Sequence, residues 1–198
     1  AVEISPDGTA RLRVRMIDSV GYMIPGAVGA TEEGQPRMVA TPWYDHEIPM
    51  TEAAELGTKK VMEDHCSIGL VVTTDGTITD LPRSDYEQAE ARAIRDMQAT
   101  GKPFLVVVNS ADPQGAAAQE ICRTLTQSWN VSCVAANCLK LGQSGLQSLL
   151  SGLLYAFPME ELQVYLPRWM DALEYDHPLK AGLYGALKEA AEHITSLD

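Results

Sequence analysis

Within residues 9–18 the run 11–16 alternates: Leu12, Val14 and Met16 fall on one side, Arg11, Arg13 and Arg15 on the other. A period of two is that of a strand with one covered face. A shorter β-like run, 1–5, precedes it, and Pro6-Asp7-Gly8 between the two reads as a hairpin turn. Residues 67–73 and 102–109 are instead near-continuous apolar runs, the pattern of parallel strands buried on both faces, and 131–136 is strand-like. Helical spacing is predicted over 51–65, 84–100, 115–128 and 146–156, with Ser84 and Glu87 at capping-box spacing. The order is thus two strands, three helix–strand units and a helix. It predicts an α/β fold with a mostly parallel sheet, right-handed crossovers and one antiparallel hairpin. Residues 19–50 are rich in Gly and Pro and read as a long loop, of a length that is usually functional or mobile. After Pro158 the character changes. Asp176-His177-Pro178 opens a helix with Leu179, Leu183, Leu187, Ala190 and Ile194 on one stripe. The predicted organisation is one α/β domain over 1–158, then a helical segment, 159–198, leading into a following domain.

The 198 residues carry a net charge of −12 at pH 7. Acidity of that size, without a Lys/Arg block, argues against a nucleic-acid surface. Cys66, Cys122, Cys133 and Cys138 lack C-x-x-C spacing and the four histidines are scattered, so neither a zinc site nor a disulfide framework is expected. Buried reduced thiols at Cys66 and Cys133 fit a cytosolic setting. No apolar run is long enough to span a membrane. Because the chain opens on Ala1 inside a β-like run, a polypeptide lacking its N-terminus is expected.

The candidate chemistry begins at Asp18-Ser-Val-Gly21. An Asp-x-x-Gly after a strand is how nucleotide switch proteins hold a magnesium-bound water and sense a γ-phosphate: Asp18 would serve the metal, through water, and the Gly21 amide the phosphate. The alternative is an ordinary strand-end turn. No Gly-x-x-x-x-Gly-Lys-Ser/Thr occurs to cradle phosphates. Asn109-Ser-Ala-Asp112 ends a buried strand where GTPases place Asn-Lys-x-Asp. Asn109 would tie loops together and Asp112 would face a base, but Ser110 replaces the lysine and Pro113 follows. A polar connecting loop is the competing reading, as it is for Ala135-Ala-Asn137 in the place of a base-backing loop. Thr73 to Thr77 reads as an Asx-bonded turn or a ligand loop. Arg83 and Arg37 read as surface ion-pair partners or phosphate ligands.

Met16 to Gly29 (MIDSVGYMIPGAVG), Gly34 to Tyr44 (GQPRMVATPWY), Glu52 to Val61 and Ser67 to Tyr86 together resemble the stage IV sporulation protein A family. The Gly-x-Pro-Arg-Met…Thr-Pro-Trp-Tyr stretch is foreign to generic GTPases. The resemblance implies a Ras-like P-loop NTPase sheet that hydrolyses ATP with Mg2+. By position, Asp18 matches the magnesium-site (Walker B) aspartate, Gly21 the switch glycine and Asn109 the base-motif remnant. It further implies self-assembly into a polymer on the forespore surface, as the base layer of the spore coat in the mother-cell cytoplasm. A small amphipathic membrane-binding peptide would make the membrane contact, which is therefore indirect, and other spore coat proteins would be recruited on top. The central P-loop strand, which lies between the 9–18 and 67–73 strands in a Ras-like order, has no counterpart here. Catalysis is therefore expected of the complete protein, with no ATP or Mg2+ bound well by this chain alone. The alternative is a non-catalytic scaffold whose contact surface includes Trp43 and Tyr44.

Overall fold

The computed structural model describes residues 2–4, 12–27, 29–32, 34–155, 157, 163–174 and 176–193. The chain divides into two compact units, Ala1–Leu153 and Leu154–Asp198.

The first unit is built on three parallel strands in the order β7 (Gly69–Thr74), β8 (Phe104–Asn109) and β9 (Cys133–Ala136). Val72 stands opposite Val107, and Val107 opposite Val134. The continuous apolar runs have the predicted cause. One face of the sheet, with Val71, Val106 and Val108, packs on Ile94, Met97, Cys122 and Leu125. Those residues come from α2 (Arg83–Ala99) and α3 (Ala116–Trp129). The opposite face, with Leu105, Val107 and Ala136, packs on Leu150 and Leu153 of α4 (Gln143–Tyr155). Leu105 to Val108 are each at most 2% exposed, and burying such a side chain stabilises by roughly 1.5–3 kcal/mol. Gly69 opens β7 beneath Met97; a Cβ there would lie 2.7 Å from Met97 Cε and 3.2 Å from Phe104 Cβ. A larger residue there would have to push the Met97 methyl aside.

Three antiparallel pairs accompany the sheet, where one was expected: β1 (Val2–Ile4) with β2 (Leu12–Val14), β3 (Thr31–Glu32) with β4 (Gln35–Pro36), and β5 (Met38–Val39) with β6 (Ile48–Pro49). None joins the parallel sheet. The Gly/Pro-rich segment is thus folded into short hairpins that lead into α1 (Met50–Lys60) and a continuing π-helical turn, Val61–His65. The Pro6-Asp7-Gly8 turn lies outside the described residues.

Two further expectations are corrected. Of the strand predicted over 9–18, residues 9–11 lie outside the described residues, Leu12–Val14 pair with β1, and 15–18 are irregular; alternation shows what could pair, not what does. Ser84 is not an N-cap. Pro82 is the extended residue before α2 and its carbonyl accepts from Asp85 N at 3.1 Å, which places Ser84 inside the first turn, its hydroxyl on Asp85.

In the second unit a 3-10 turn, Arg168–Ala172, buries Met170, and α5 spans Pro178–His193. On the predicted stripe Leu183 and Leu187 are half-buried, while Leu179 and Ala190 are exposed. Ile194 lies outside the described residues.

Candidate functional site

A cavity of about 530 Å³ runs along the outer side of β7. One wall is the segment from Ile17 to Ile24, and the other is residues 68–73; α1 contributes Thr58, and α2 contributes Glu90 and Met97. Among the described residues β7 is an edge strand. Val72 on that strand is 59% exposed, whereas its neighbour Val107 is buried at 1%. Among the described residues, that flank of the sheet has no pairing strand, and Val72 on it is left uncovered.

Asp18 and Gly21 both line this cavity. Asp18 is exposed and lies in irregular backbone four residues beyond β2. Gly21 has φ of +80°, the left-handed region that suits glycine. Its amide donates to Thr58 Oγ1 at 3.0 Å. Next to it the Tyr22 hydroxyl donates to Asp96, and the Arg92 guanidinium stacks 4.7 Å from the Tyr22 ring centroid. Burial, then the Asp96 hydrogen bond, pushes the Tyr22 phenol well above its ordinary value, so it remains a donor at any working pH. Arg92 is held in turn by Glu55 through two bonds of 2.6 and 2.7 Å.

Asn109 and Asp112 do not line the cavity. They sit at the carboxyl ends of the strands, where open α/β sheets bind ligands. Asn109 Oδ1 accepts from Cys138 N at 3.0 Å, and Asn137 Nδ2 donates to Ala111 O at 3.2 Å, tying the loop after β8 to the loop after β9. The loop after β7 joins them: Thr77 Oγ1 accepts from Ala111 N at 2.9 Å, and Asp75 Oδ1 accepts from Thr77 N at 3.0 Å, an Asx turn. Ser110 is fully buried and its Oγ accepts from Asp112 N at 3.0 Å. The Asp112 carboxylate folds back toward Gly115 at the start of α3, where a Cβ would lie 2.8 Å from Oδ2. Ser110 thus points inward, and Asp112 favours the positive end of its own helix.

Arg83 pairs with a buried carboxylate rather than on the surface. Its Nη2 donates to Glu90 Oε1 at 2.7 Å, and its Nη1 lies 2.6 Å from Glu90 Oε2, a side chain only 5% exposed. Nη1 also donates to Thr73 Oγ1 at 3.0 Å. Arg37 is exposed. The four cysteines are free thiols, with Cys122 buried and Cys133 half-buried. Burial, then the neighbouring Cys122, holds the Cys133 thiol far above its ordinary value.

Among the described residues no group of three or more His, Cys, Asp and Glu side chains could enclose a metal ion. A lone exposed carboxylate on an open cavity still suits Mg2+, which keeps most of its waters and binds through one or two carboxylates plus substrate phosphates. No described helix is long and apolar enough to cross a membrane.

Residues 1–158 match the family described as stage IV sporulation protein A, ATPase domain. The chain belongs to the stage IV sporulation protein A family. It is 37% identical over 197 residues to stage IV sporulation protein A of Bacillus anthracis, covering 100% of this chain and 40% of that protein. It is 40% identical over 186 residues to that of Bacillus subtilis (strain 168), with 94% and 38% covered. For Clostridioides difficile (strain 630) the identity is 36% over 189 residues, with 96% and 38% covered. The chain thus spans about two fifths of the length of these relatives. No solved structure matches it.

Sequence alone assigns no role to Thr58, Tyr22, Arg92 or Asp96, although Tyr22 and Thr58 lie within the stretches that carry the resemblance. Only the fold shows Thr58 to be buried, four residues after buried Ala54 on α1. A hydroxyl on a buried helical stripe needs a partner.

Proposed function

We propose that this chain supplies the magnesium and switch half of an ATP-hydrolysing site in a sporulation protein, on a Ras-like P-loop fold. The phosphate cradle would come from sequence outside these 198 residues. The observation that carries the reading is the position of Asp18 and Gly21, across a cavity from the open edge of β7. That is where a P-loop strand would pair, between the 12–24 segment and β7, bringing phosphates to the carboxyl ends of the strands. Family membership over residues 1–158 supports the nucleotide.

In this reading Asp18 holds the metal through water and Gly21 offers its amide to the γ-phosphate. Magnesium, when bound, neutralises charge that develops on the phosphates. Asn109 keeps the loops after β8 and β9 in register beneath the base. Ser110, turned inward, stands in place of the lysine, and the Asp112 carboxylate that would read guanine folds toward Gly115, which agrees with ATP rather than GTP. Hydrolysis would drive self-assembly on the forespore surface, in the mother-cell cytoplasm, as the base of the spore coat. An amphipathic peptide would link it to the membrane, and further coat proteins would bind above. This chain alone would be inactive, lacking the phosphate cradle.

A scaffold without nucleotide chemistry is the second reading. Its support is the exposure of Trp43 and Tyr44, each 43% exposed on the Gly/Pro-rich segment.

Competition binding of ATP and GTP to the full-length protein, with and without Mg2+, separates these readings. ATP should bind more tightly than GTP, and Asp18→Ala should abolish the tightening by Mg2+. GTP binding as tight as ATP would overturn the ATP assignment. Binding of neither nucleotide would favour the scaffold.

A further inference from the structure

The Gly21 amide already has a partner. It donates to Thr58 Oγ1 at 3.0 Å, and the same hydroxyl lies 3.4 Å from Gly21 O, to which it donates in return. A hydroxyl has one donor hydrogen and two lone pairs, so both contacts can coexist. Thr58 is 2% exposed, and water does not readily replace it.

The neighbouring residue is fixed separately. Tyr22 reaches α2 through Asp96 and through the stacked Arg92. Glu55 and Lys59 then join α1 to the same residues, with Glu55 on Arg92 and Lys59 Nζ 3.9 Å from Asp96. The Asp18–Tyr22 segment, α1 and α2 therefore form a closed ring of polar contacts beside the cavity.

We propose that Thr58 is a positioning residue that holds the Gly21 amide in a phosphate-free arrangement, and that a γ-phosphate takes this amide only by displacing the Thr58 hydroxyl. This rests on the reading of Gly21 as the γ-phosphate sensor. One N–H cannot serve two acceptors at full strength, so the two compete. Displacement of Gly21 pulls on Tyr22, and the Asp96–Arg92–Glu55 contacts pass the change to both helices. ADP, lacking the γ-phosphate, leaves the latch closed.

The test compares ATP and ADP affinities of full-length wild type, Thr58→Val and Thr58→Ser. Valine keeps the shape and removes the hydroxyl; serine keeps the hydroxyl. The preference for ATP over ADP should rise about two- to ten-fold in Thr58→Val, the range for one lost hydrogen bond, and return to the wild-type value in Thr58→Ser. Tyr22→Phe, which loses only the Asp96 bond, should shift the preference in the same direction. If wild type binds both nucleotides and Thr58→Val leaves the ATP-to-ADP ratio unchanged or lowers it, the latch is refuted. If wild type binds neither, the reading of the site fails and the latch with it.

Discussion

Asp75 organises the turn after β7, its Oδ1 accepting from Thr77 N at 3.0 Å and from Thr77 Oγ1 at 2.6 Å. Partial burial acts to raise this carboxyl, but hydrogen bonds from Ser110 and Thr77 outweigh it and leave the group below its ordinary 3.8. The folded state then binds fewer protons than the unfolded chain just below that value. Asp75 stabilises fully above pH 3.8 and loses its contribution as pH falls through the lower folded value. Solvent screens this partly exposed carboxylate, so Asp75→Asn should cost no more than about 0.5 kcal/mol near neutrality, with the gap to wild type closing in acid; urea unfolding across pH would measure it. A gap unchanged in acid would contradict this role. The turn was legible in the sequence, since Asp-Gly-Thr after a strand carries its own hydrogen-bonding logic. The Thr58 and Tyr22 contacts were not: their partners lie 37 and 74 positions away, and no local pattern marks such pairs.

Arg83 joins two elements. It starts α2, reaches back to Thr73 and the Thr74 carbonyl at the end of β7, and pairs with Glu90 two turns further along its own helix. Removing the arginine strands a carboxylate that is only 5% exposed. Arg83→Ala should destabilise by about 3 kcal/mol, while the double change Arg83→Met with Glu90→Leu should cost much less, because nothing charged stays buried. Denaturant unfolding of both decides it; equal losses would show that the pair is not the cause. Sequence patterning read β7, β8, α2 and α3 well, because each has its burial written in its own composition. It missed the two small hairpins of 31–49, whose two-residue strands are too short to carry a periodicity. It also overran the strand before Asp18, because pairing depends on a partner that alternation does not reveal.

Across the first unit, apolar coverage is uneven. Both faces of β8 are sealed, yet the outer side of β7 borders a cavity faced by Asp18 and Gly21. The chain spans about two fifths of the length of its relatives, and the ATP site proposed across that open edge would account for an acid and a glycine placed there without a phosphate loop. The α/β class and the family were legible from motif and order. The cavity and its latch were not, since they arise from packing between segments far apart in the chain. Magnesium-dependent phosphate release from ATP, measured side by side, is the most direct measurement. The full-length protein should turn over, its Asp18→Ala variant should fall by about a hundred-fold or more, and the 198-residue chain should show no turnover. Turnover by the isolated chain, or an Asp18→Ala protein as active as wild type, would contradict the half-site.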